Sequence, residues 1–399
     1  MEIFKATNFD FLGKKWLFIG VSLVLTIAGI ISLWMKGGPK YGIDFNGGAL
    51  MHVKFAHQPP TEKIRAALRK DIKGEIDVQE VSGQQEVLVS TEVKDERTLN
   101  IERQEMIQAL TDAFGDKTGK LDINNSGAEA LADRLREPLQ RAAVPMSNDQ
   151  LEALAKAILA FRDSAPRSGI IQNLDSLSGV PGITPQILNV IKQECVPGAF
   201  AIRQVEIVGP RIGADLRHQA LLVVLYALGA MLVYIAFRFE WIYGVAAVIA
   251  VFHDTIITIG LFSIFNKPID LTVLAALLTL VGYSMNDTIV VFDRIRENIH
   301  LQKRGTFSEL VNLSINQTLS RTVLTSGLTL LTALALLFFG GQVLNGFSFA
   351  LVVGIIVGTY SSIFIASPIL IFWKNFSDRR KKSARVAPAA PRGAVKVAK

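Results

Sequence analysis

Three charged residues stand where charge is expensive. Asp254 lies near the middle of an apolar run from Trp241 to Phe265, and Asp287 lies inside another from Leu271 to Phe292. Arg321 opens a third run, Thr322 to Phe339. A hydrocarbon layer about 30 Å thick needs roughly 20 apolar helical residues, and these runs approach or exceed that length. A carboxylate inside such a layer costs on the order of 2.5–3.5 kcal/mol, so it must face a partner, a water-filled cavity or a proton. Two readings of Asp287 are open: a structural group bonded to a neighbouring helix, or a protonatable carboxylate on an ion path. The second is favoured, because intramembrane carboxylates so often mark such paths. Asp254 is either a structural bridge or a relay member. Arg321 is either an ordinary cytoplasmic flank or a charge partner.

The neighbours of these residues suggest a chemistry. Asn286 precedes Asp287, and Thr322, Thr325, Ser326, Thr329 and Thr332 recur at helical spacing, which predicts one polar stripe on the fifth span. Asp254 and Asp287 cannot both stay ionised in one apolar layer unless water or Arg321 balances them. The expectation is a proton or ion relay through Asp254, Asn286, Asp287 and Arg321, with Thr325, Ser326 and Thr329 as secondary polar lining, gated by helix movement. His253 points about 100° away from Asp254 on a helix, so the two are not paired and His253 is read as structural. Asp293 and Arg294 are read as interfacial residues that serve topology. No Ser-His-Asp set, Gly-rich phosphate loop or metal spacing accompanies these groups. With five His and the single Cys195, neither a Cys/His metal cluster nor an internal disulfide is expected. No enzyme activity, cofactor or metal is therefore predicted.

The elements that must position these residues are membrane helices. The chain has 399 residues, half of them hydrophobic, with a mean hydropathy of +0.35. Six apolar runs are long enough to span: about Lys15 to Met35, Ala220 to Phe237, Trp241 to Phe265, Leu271 to Phe292, Thr322 to Phe339 and Phe347 to Phe372. The first lacks a cleavage pattern and reads as a retained anchor. Lys14 and Lys15, Arg238, the stretch Arg294 to Arg304, and Arg379 to Lys382 flank the spans on one side, whereas Lys267 is the lone base in the connections on the other. The positive-inside rule then puts both termini in the cytoplasm and the large loop outside. Nine Lys/Arg against one Asp from Lys374 to Lys399 hold more than the whole chain's net +7, so the basic balance belongs to a membrane-flanking tail and is no nucleic-acid footprint. The amphipathic lead, residues 1–14, is read either as an interfacial segment or as a disordered tail. The connection from Arg294 to Arg321, with Phe307, Leu310, Val311 and Ile315, is expected to lie along the cytoplasmic surface.

Between the first two spans, residues 36–218 form the one stretch able to build a water-exposed domain. Ala49 to Phe55, Glu75 to Val81, Glu86 to Thr91 and Ala201 to Val208 alternate as strands, with a hairpin turn at Ser82-Gly83-Gln84-Gln85. Thr61 to Ile72, N-capped by Thr61, and Leu99 to Phe114 have helical periods. The order β-α-β-β-α-β predicts a ferredoxin-like layer. An insert, 115–198, reads as helices from Ala128 to Ala142, Asn148 to Ala165 and Leu174 to Glu194. The last contains Gly179-Val180-Pro181-Gly182, which resembles the anion-binding turn of helix-hairpin-helix proteins. With few bases around it, the turn is read as part of a compact helical insert. The fold class is thus an α-helical polytopic membrane protein, six transmembrane helices with an α+β ferredoxin-like extracytoplasmic domain after the first. Residues 15–35 make the first span, 220–372 the remaining bundle and 373–399 a basic tail.

Gly42-Ile43-Asp44-Phe45-Asn46-Gly47-Gly48, Val208-Gly209-Pro210, His253-Asp254, Gly282-Tyr283-Ser284-Met285-Asn286-Asp287, Val291 to Asn298 and Arg321-Thr322 resemble the SecD/SecF family of protein-export membrane proteins, of the resistance-nodulation-division superfamily. The resemblance covers both ends of the loop domain and all six spans. It implies pairing with a SecD-like subunit beside the SecYEG channel, with YajC- and YidC-like proteins as further neighbours, in the bacterial inner membrane. It implies that the proton-motive force, or sodium in some marine relatives, helps complete the export of unfolded polypeptides. It further implies ion passage at the positions of Asp287 and Arg321, and the family pattern also carries Asp254. The insert departs from the pattern. Two rival readings are half of a proton-driven small-molecule exporter, which needs a drug-sized apolar pocket in the loop domain, and a structural clamp of the translocon.

Overall fold

The computed structural model describes residues 7–72, 74, 76–81, 85–93, 98–238, 241–301, 305–341 and 343–386. The lead before Thr7, the hairpin positions Ser82, Gly83 and Gln84, the strand position Glu75 and the basic tail beyond Val386 lie outside them. Contacts divide the chain into two compact units, 1–40 with 220–399 and 41–219.

In chain order, α1 (Lys15–Met35) is the first apolar helix. A one-turn helix α2 (Ile43–Asn46) then leads into β1 (Gly48–Phe55), α3 (Thr61–Asp71), β2 (Ile76–Glu80), β3 (Glu86–Thr91) and α4 (Leu99–Phe114). The insert follows as β4 (Leu121–Asp122), α5 (Ala128–Arg141), α6 (Asn148–Asp163), a 3₁₀ turn at Leu174–Gly179, α7 (Pro185–Glu194) and β5 (Cys195–Val196), before β6 (Phe200–Val208). Then come α8 (Pro210–Arg238), α9 (Trp241–Ile264), α10 (Leu271–Leu301), α11 (Phe307–Phe339), α12 (Asn345–Ser361), a π-helical turn (Ser362–Ala366) and α13 (Ser367–Val386).

The loop domain carries the expected antiparallel sheet in the order β2-β3-β1-β6. Met51 stands between Val89 and Val205. Alternation along β1 turns Ala49, Met51, Val53 and Phe55 into a core shared with Ile64 and Leu68 of α3 and Met106 and Leu110 of α4. Thr61 is the first helical residue of α3, not its cap. The cap position is Pro60, which has no side-chain donor or acceptor to offer.

The insert has a core of its own, built from Leu131, Leu135, Leu151, Ile158, Leu177 and Ile191 among others. Its mouth is closed by the two-residue parallel pairing of β4 with β5, which the sequence does not announce. The expected helix from Leu174 to Glu194 is interrupted. Pro181 and Gly182 (φ +91°) break it into the 3₁₀ turn and α7, and Thr184 caps α7 by accepting from the Ile187 N–H at 3.3 Å. The nearby Lys192 is paired with Asp175, so this base does not serve the glycine turn. Asn125 reaches the outer edge of β6, accepting from the Ile202 N–H at 2.9 Å and donating to the Phe200 carbonyl at 2.9 Å.

Six helices are long and apolar enough to cross a membrane: Lys15–Met35, Pro210–Ile235, Trp241–Ile264, Leu271–Leu301, Phe307–Phe339 and Asn345–Arg379. The expected surface-lying connection after Arg294 is instead continuous helix on both sides. α10 runs on to Leu301, and α11 starts at Phe307 behind a Thr306–Glu309 capping box. Polar groups zip these extensions together. Asn298 Nδ2 donates to Ser314 Oγ and Gln317 Oε1, both at 2.8 Å, and Arg294 Nε donates to Gln317 Oε1 at 2.6 Å. Arg321 consequently sits well inside α11 and does not open it.

Residues 9–12 are held against α11 and are not a free tail. Asn316 Oδ1 accepts from the Phe9 N–H at 2.8 Å, and Asn312 Oδ1 accepts from that of Phe11 at 3.0 Å. Both amide groups donate back to the Phe9 carbonyl at 2.9 Å. Further along, α1 meets α9 backbone to backbone: a Cβ placed on Gly260 would stand 2.7 Å from the Gly29 Cα.

Candidate functional site

The polar groups inside the helical bundle gather around the two carboxylates. Asp287, on α10, is 2% exposed. Its Oδ2 accepts from Ser326 Oγ of α11 at 3.0 Å. Arg321 is five residues before Ser326 and attracts Asp287 through space. Among the described residues no Arg321 nitrogen comes within 4 Å of a carboxylate. The Tyr283 hydroxyl, one turn before Asp287, faces Ser326, Thr329 and Thr359 without a hydrogen bond of good geometry.

Asp254, on α9, is fully buried. Its Oδ2 accepts from Ser284 Oγ of α10 at 2.6 Å and from Ser361 Oγ of α12 at 2.8 Å. Its Oδ1 lies 2.9 Å from His253 Nδ1. The two residues expected to point apart are therefore paired. Their Cβ atoms do diverge, but both side chains are long enough to turn back along the helix and meet. Ser361 is the last residue of α12 before the π turn. Pro368, which has no N–H to donate, follows that turn, and Ser367 Oγ returns a bond to the Ser362 carbonyl at 2.9 Å. α12 approaches α10 closely here: a Cβ on Gly358 would stand 3.0 Å from Ser284 Cβ.

The remaining expected site residues are dispersed. Asn286 is exposed and turned away from Asp287. The polar stripe of α11 is split. Thr322 and Ser326 are buried, whereas Thr325, Thr329 and Thr332 are exposed. Their hydroxyls donate to their own helix at the carbonyls of Arg321, Thr325 and Leu328. Ser284 lies in the motif that ends in Asp287, which does not mark it as a partner of Asp254, and Ser361 carries no signal in the sequence beyond being a small polar residue in an apolar run.

The loop domain holds a cleft of about 270 Å³ lined by Asn124, Arg162, Asp163, Gly169, Ala201, Ile202 and Arg203. Its charged groups are engaged with each other and with carbonyls. Arg162 Nε donates to Asp163 at 2.8 Å and its Nη1 to the Ile123 carbonyl at 3.1 Å. Such polar walls do not suit the apolar drug-sized ligand that a small-molecule exporter half would take up.

Six apolar helices, a ferredoxin-like domain after the first, and carboxylates sealed inside the bundle define a multi-pass membrane protein with a polar centre. Comparison with known proteins narrows this class. The family description "Protein export membrane protein SecD/SecF, C-terminal" matches residues 188–376. The protein translocase subunit SecF of Koribacter versatilis (strain Ellin345) is 48% identical over 400 residues, covering 98% of this chain and 97% of the relative. The protein translocase subunit SecDF of Thermus thermophilus is 56% identical over 176 residues, 44% of this chain and 24% of that longer one. A crystal structure of SecDF, a translocon-associated membrane protein from the same organism, superposes with a TM-score of 0.62 at 32% identity, covering 92% of this chain and 39% of that one. The chain belongs to the SecD/SecF family of protein export membrane proteins.

Proposed function

We propose that this chain is the SecF-type subunit of a translocon accessory complex, and that it takes up and releases an ion at Asp287 to drive late steps of polypeptide export. The observation that carries this reading is the Asp287–Ser326 contact between α10 and α11, with Arg321 near but not paired. Protonating Asp287 removes its attraction to Arg321 and the charge that Ser326 serves, so α10 and α11 can repack. A proton crossing 100 mV releases about 2.3 kcal/mol, enough to bias a two-state movement whose states differ by a few kcal/mol. Asp254 belongs to the same polar centre as a second acidic group.

The charge asymmetry of the connections supports cytoplasmic termini and a periplasmic loop domain in the inner membrane. The names of the relatives support a SecD-like partner, and by extension the SecYEG channel, YajC- and YidC-like proteins and an exported unfolded polypeptide. Proton flux in proteoliposomes holding this chain with its SecD-like partner tests the ion path. Asp287→Asn is expected to fold and to abolish flux. Equal flux in variant and wild type overturns the path and leaves a structural clamp.

A further inference from the structure

Fully buried Asp254 accepts from two serines, and its Oδ1 lies 2.9 Å from His253 Nδ1. The titratable and charged groups around it can be taken element by element. α9 itself offers His253. α10 brings Ser284, with Tyr283 beside it and Asp287 one turn further. The sixth span brings Ser361 and Tyr360, and α1 brings Ser22, whose Oγ is 2.9 Å from the Tyr360 hydroxyl. Among the described residues no Lys or Arg nitrogen lies within 4 Å of Asp254. Hydroxyl donors spread a carboxylate's charge but do not cancel it, and an uncompensated charge in an apolar bundle is expensive. The imidazole can supply the compensation. Its Nδ1 is 2.9 Å from the carboxylate, its ring stands edge-on to Tyr360 at 6.2 Å between centroids, and its Nε2 is buried without a partner.

We propose that His253 and Asp254 form a second proton-binding site, distinct from Asp287, which when loaded latches the third, fourth and sixth spans together and, through Tyr360 and Ser22, holds the first. A proton adds to the neutral imidazole and gives an imidazolium–carboxylate pair of zero net charge. Its release leaves neutral imidazole beside a bare carboxylate with two hydroxyl donors. No hydrogen bond joins this cluster to Asp287 among the described residues, so the site does not depend on Asp287 conducting. Its place is also where the sixth span departs from α-helical winding, a local irregularity that recurs at functional positions.

Two measurements on the full chain in lipid bilayers test it. The first is nitrogen-15 solid-state NMR of labelled histidine at neutral pH. The chain has five histidines, and His253→Asn assigns the signal. A doubly protonated imidazolium at His253 that disappears in Asp254→Asn, and persists in Asp287→Asn, supports the site. A neutral tautomer at His253 overturns it. The second is a charge-rescue cycle read by thermal unfolding. His253→Asn alone strands the carboxylate and is expected to lower the midpoint by about 5 °C or more. Adding Asp254→Asn should restore most of that loss. Additive losses, or no effect of His253→Asn, mean that His253 only packs. If Asp287→Asn keeps full flux while the imidazolium stands, the ion-path reading fails and the latch survives.

Discussion

At the residue scale, the two carboxylates differ in how completely they are partnered. Among the described residues, Asp254 has hydroxyl donors from two other helices and the His253 ring beside it, whereas Asp287 has one donor, Ser326. Of the two carboxylates, Ser326→Ala should therefore act on Asp287. Losing one donor to a buried acceptor costs about 1–3 kcal/mol, read as a lower unfolding midpoint, with the pH profile of flux displaced from that of wild type. Thr325→Ala, whose hydroxyl serves its own helix, should leave both readouts unchanged. Cys195 gives a prediction outside the membrane helices. It is 1% exposed, and burial pushes its thiol up to about 12. The folded value lies above the ordinary one near 8.5. The thiol's contribution to stability is thus complete below about pH 8.5 and is lost as pH rises toward 12. At pH 8 an alkylating reagent should leave the native chain unmodified and label it only after unfolding, as mass spectrometry will show. The sequence displayed Asp254, Asp287 and Arg321 because charge in an apolar run is conspicuous. It did not display Ser284, Ser361 or His253 as partners of Asp254. Serine in an apolar run is unremarkable, and helical spacing reports Cβ directions, not where a side chain ends.

At the scale of elements, the six apolar helices and the split βαβ sheet were legible from apolar length and two-residue alternation. Their ends were not. The amphipathic stretch after Arg294 has the composition of a surface helix, but Asn298, Ser314 and Gln317 use their polar groups on one another, and the two helices continue as a hairpin. The crossing of α1 and α9 rests on Gly29 and Gly260, at contact distance. Gly260→Leu should push them apart, at about 1–3 kcal/mol or more for an overpacked contact. The Ser32–Ser263 hydroxyl pair, 2.8 Å apart and nearly one turn beyond, should separate with it. A lower unfolding midpoint and loss of disulfide formation between Ser32→Cys and Ser263→Cys in that background would both register the change.

On the scale of the whole molecule, the insert was visible as excess length and its first two helices by their periods. Its relation to the sheet was not visible, because it runs through scattered contacts far apart in sequence: Asn125 on β6, Lys54 and Arg203 on the carbonyls of Arg167 and Ser168, Gln172 on that of Ala56, and Ile170 packed with Ala56 and Ala201. β6 is an edge strand, and free edges invite pairing with another chain. Asn125 occupies the β6 edge at Phe200 and Ile202. Replacing residues 117–197 by a short linker should preserve the four-stranded sheet, because α3 and α4 supply its core partners, yet leave that edge open. Light scattering with size-exclusion chromatography is expected to show self-association of the shortened chain, and Asn125→Ala should shift it part of the way.

The grip of Asn312 and Asn316 on residues 9–12 turns α11 into a pointer. Ser326 lies 14 residues from Asn312, roughly 21 Å along the helix at 1.5 Å per residue. If α11 tilts by about 5° around Ser326 when Asp287 changes charge, the grip travels about 2 Å by that geometry. The backbone of Phe9 and Phe11 must travel with it or let go. An event confined to one carboxylate is thereby written onto the far end of the helix, where a spin label near residue 9 can read it without touching the polar centre.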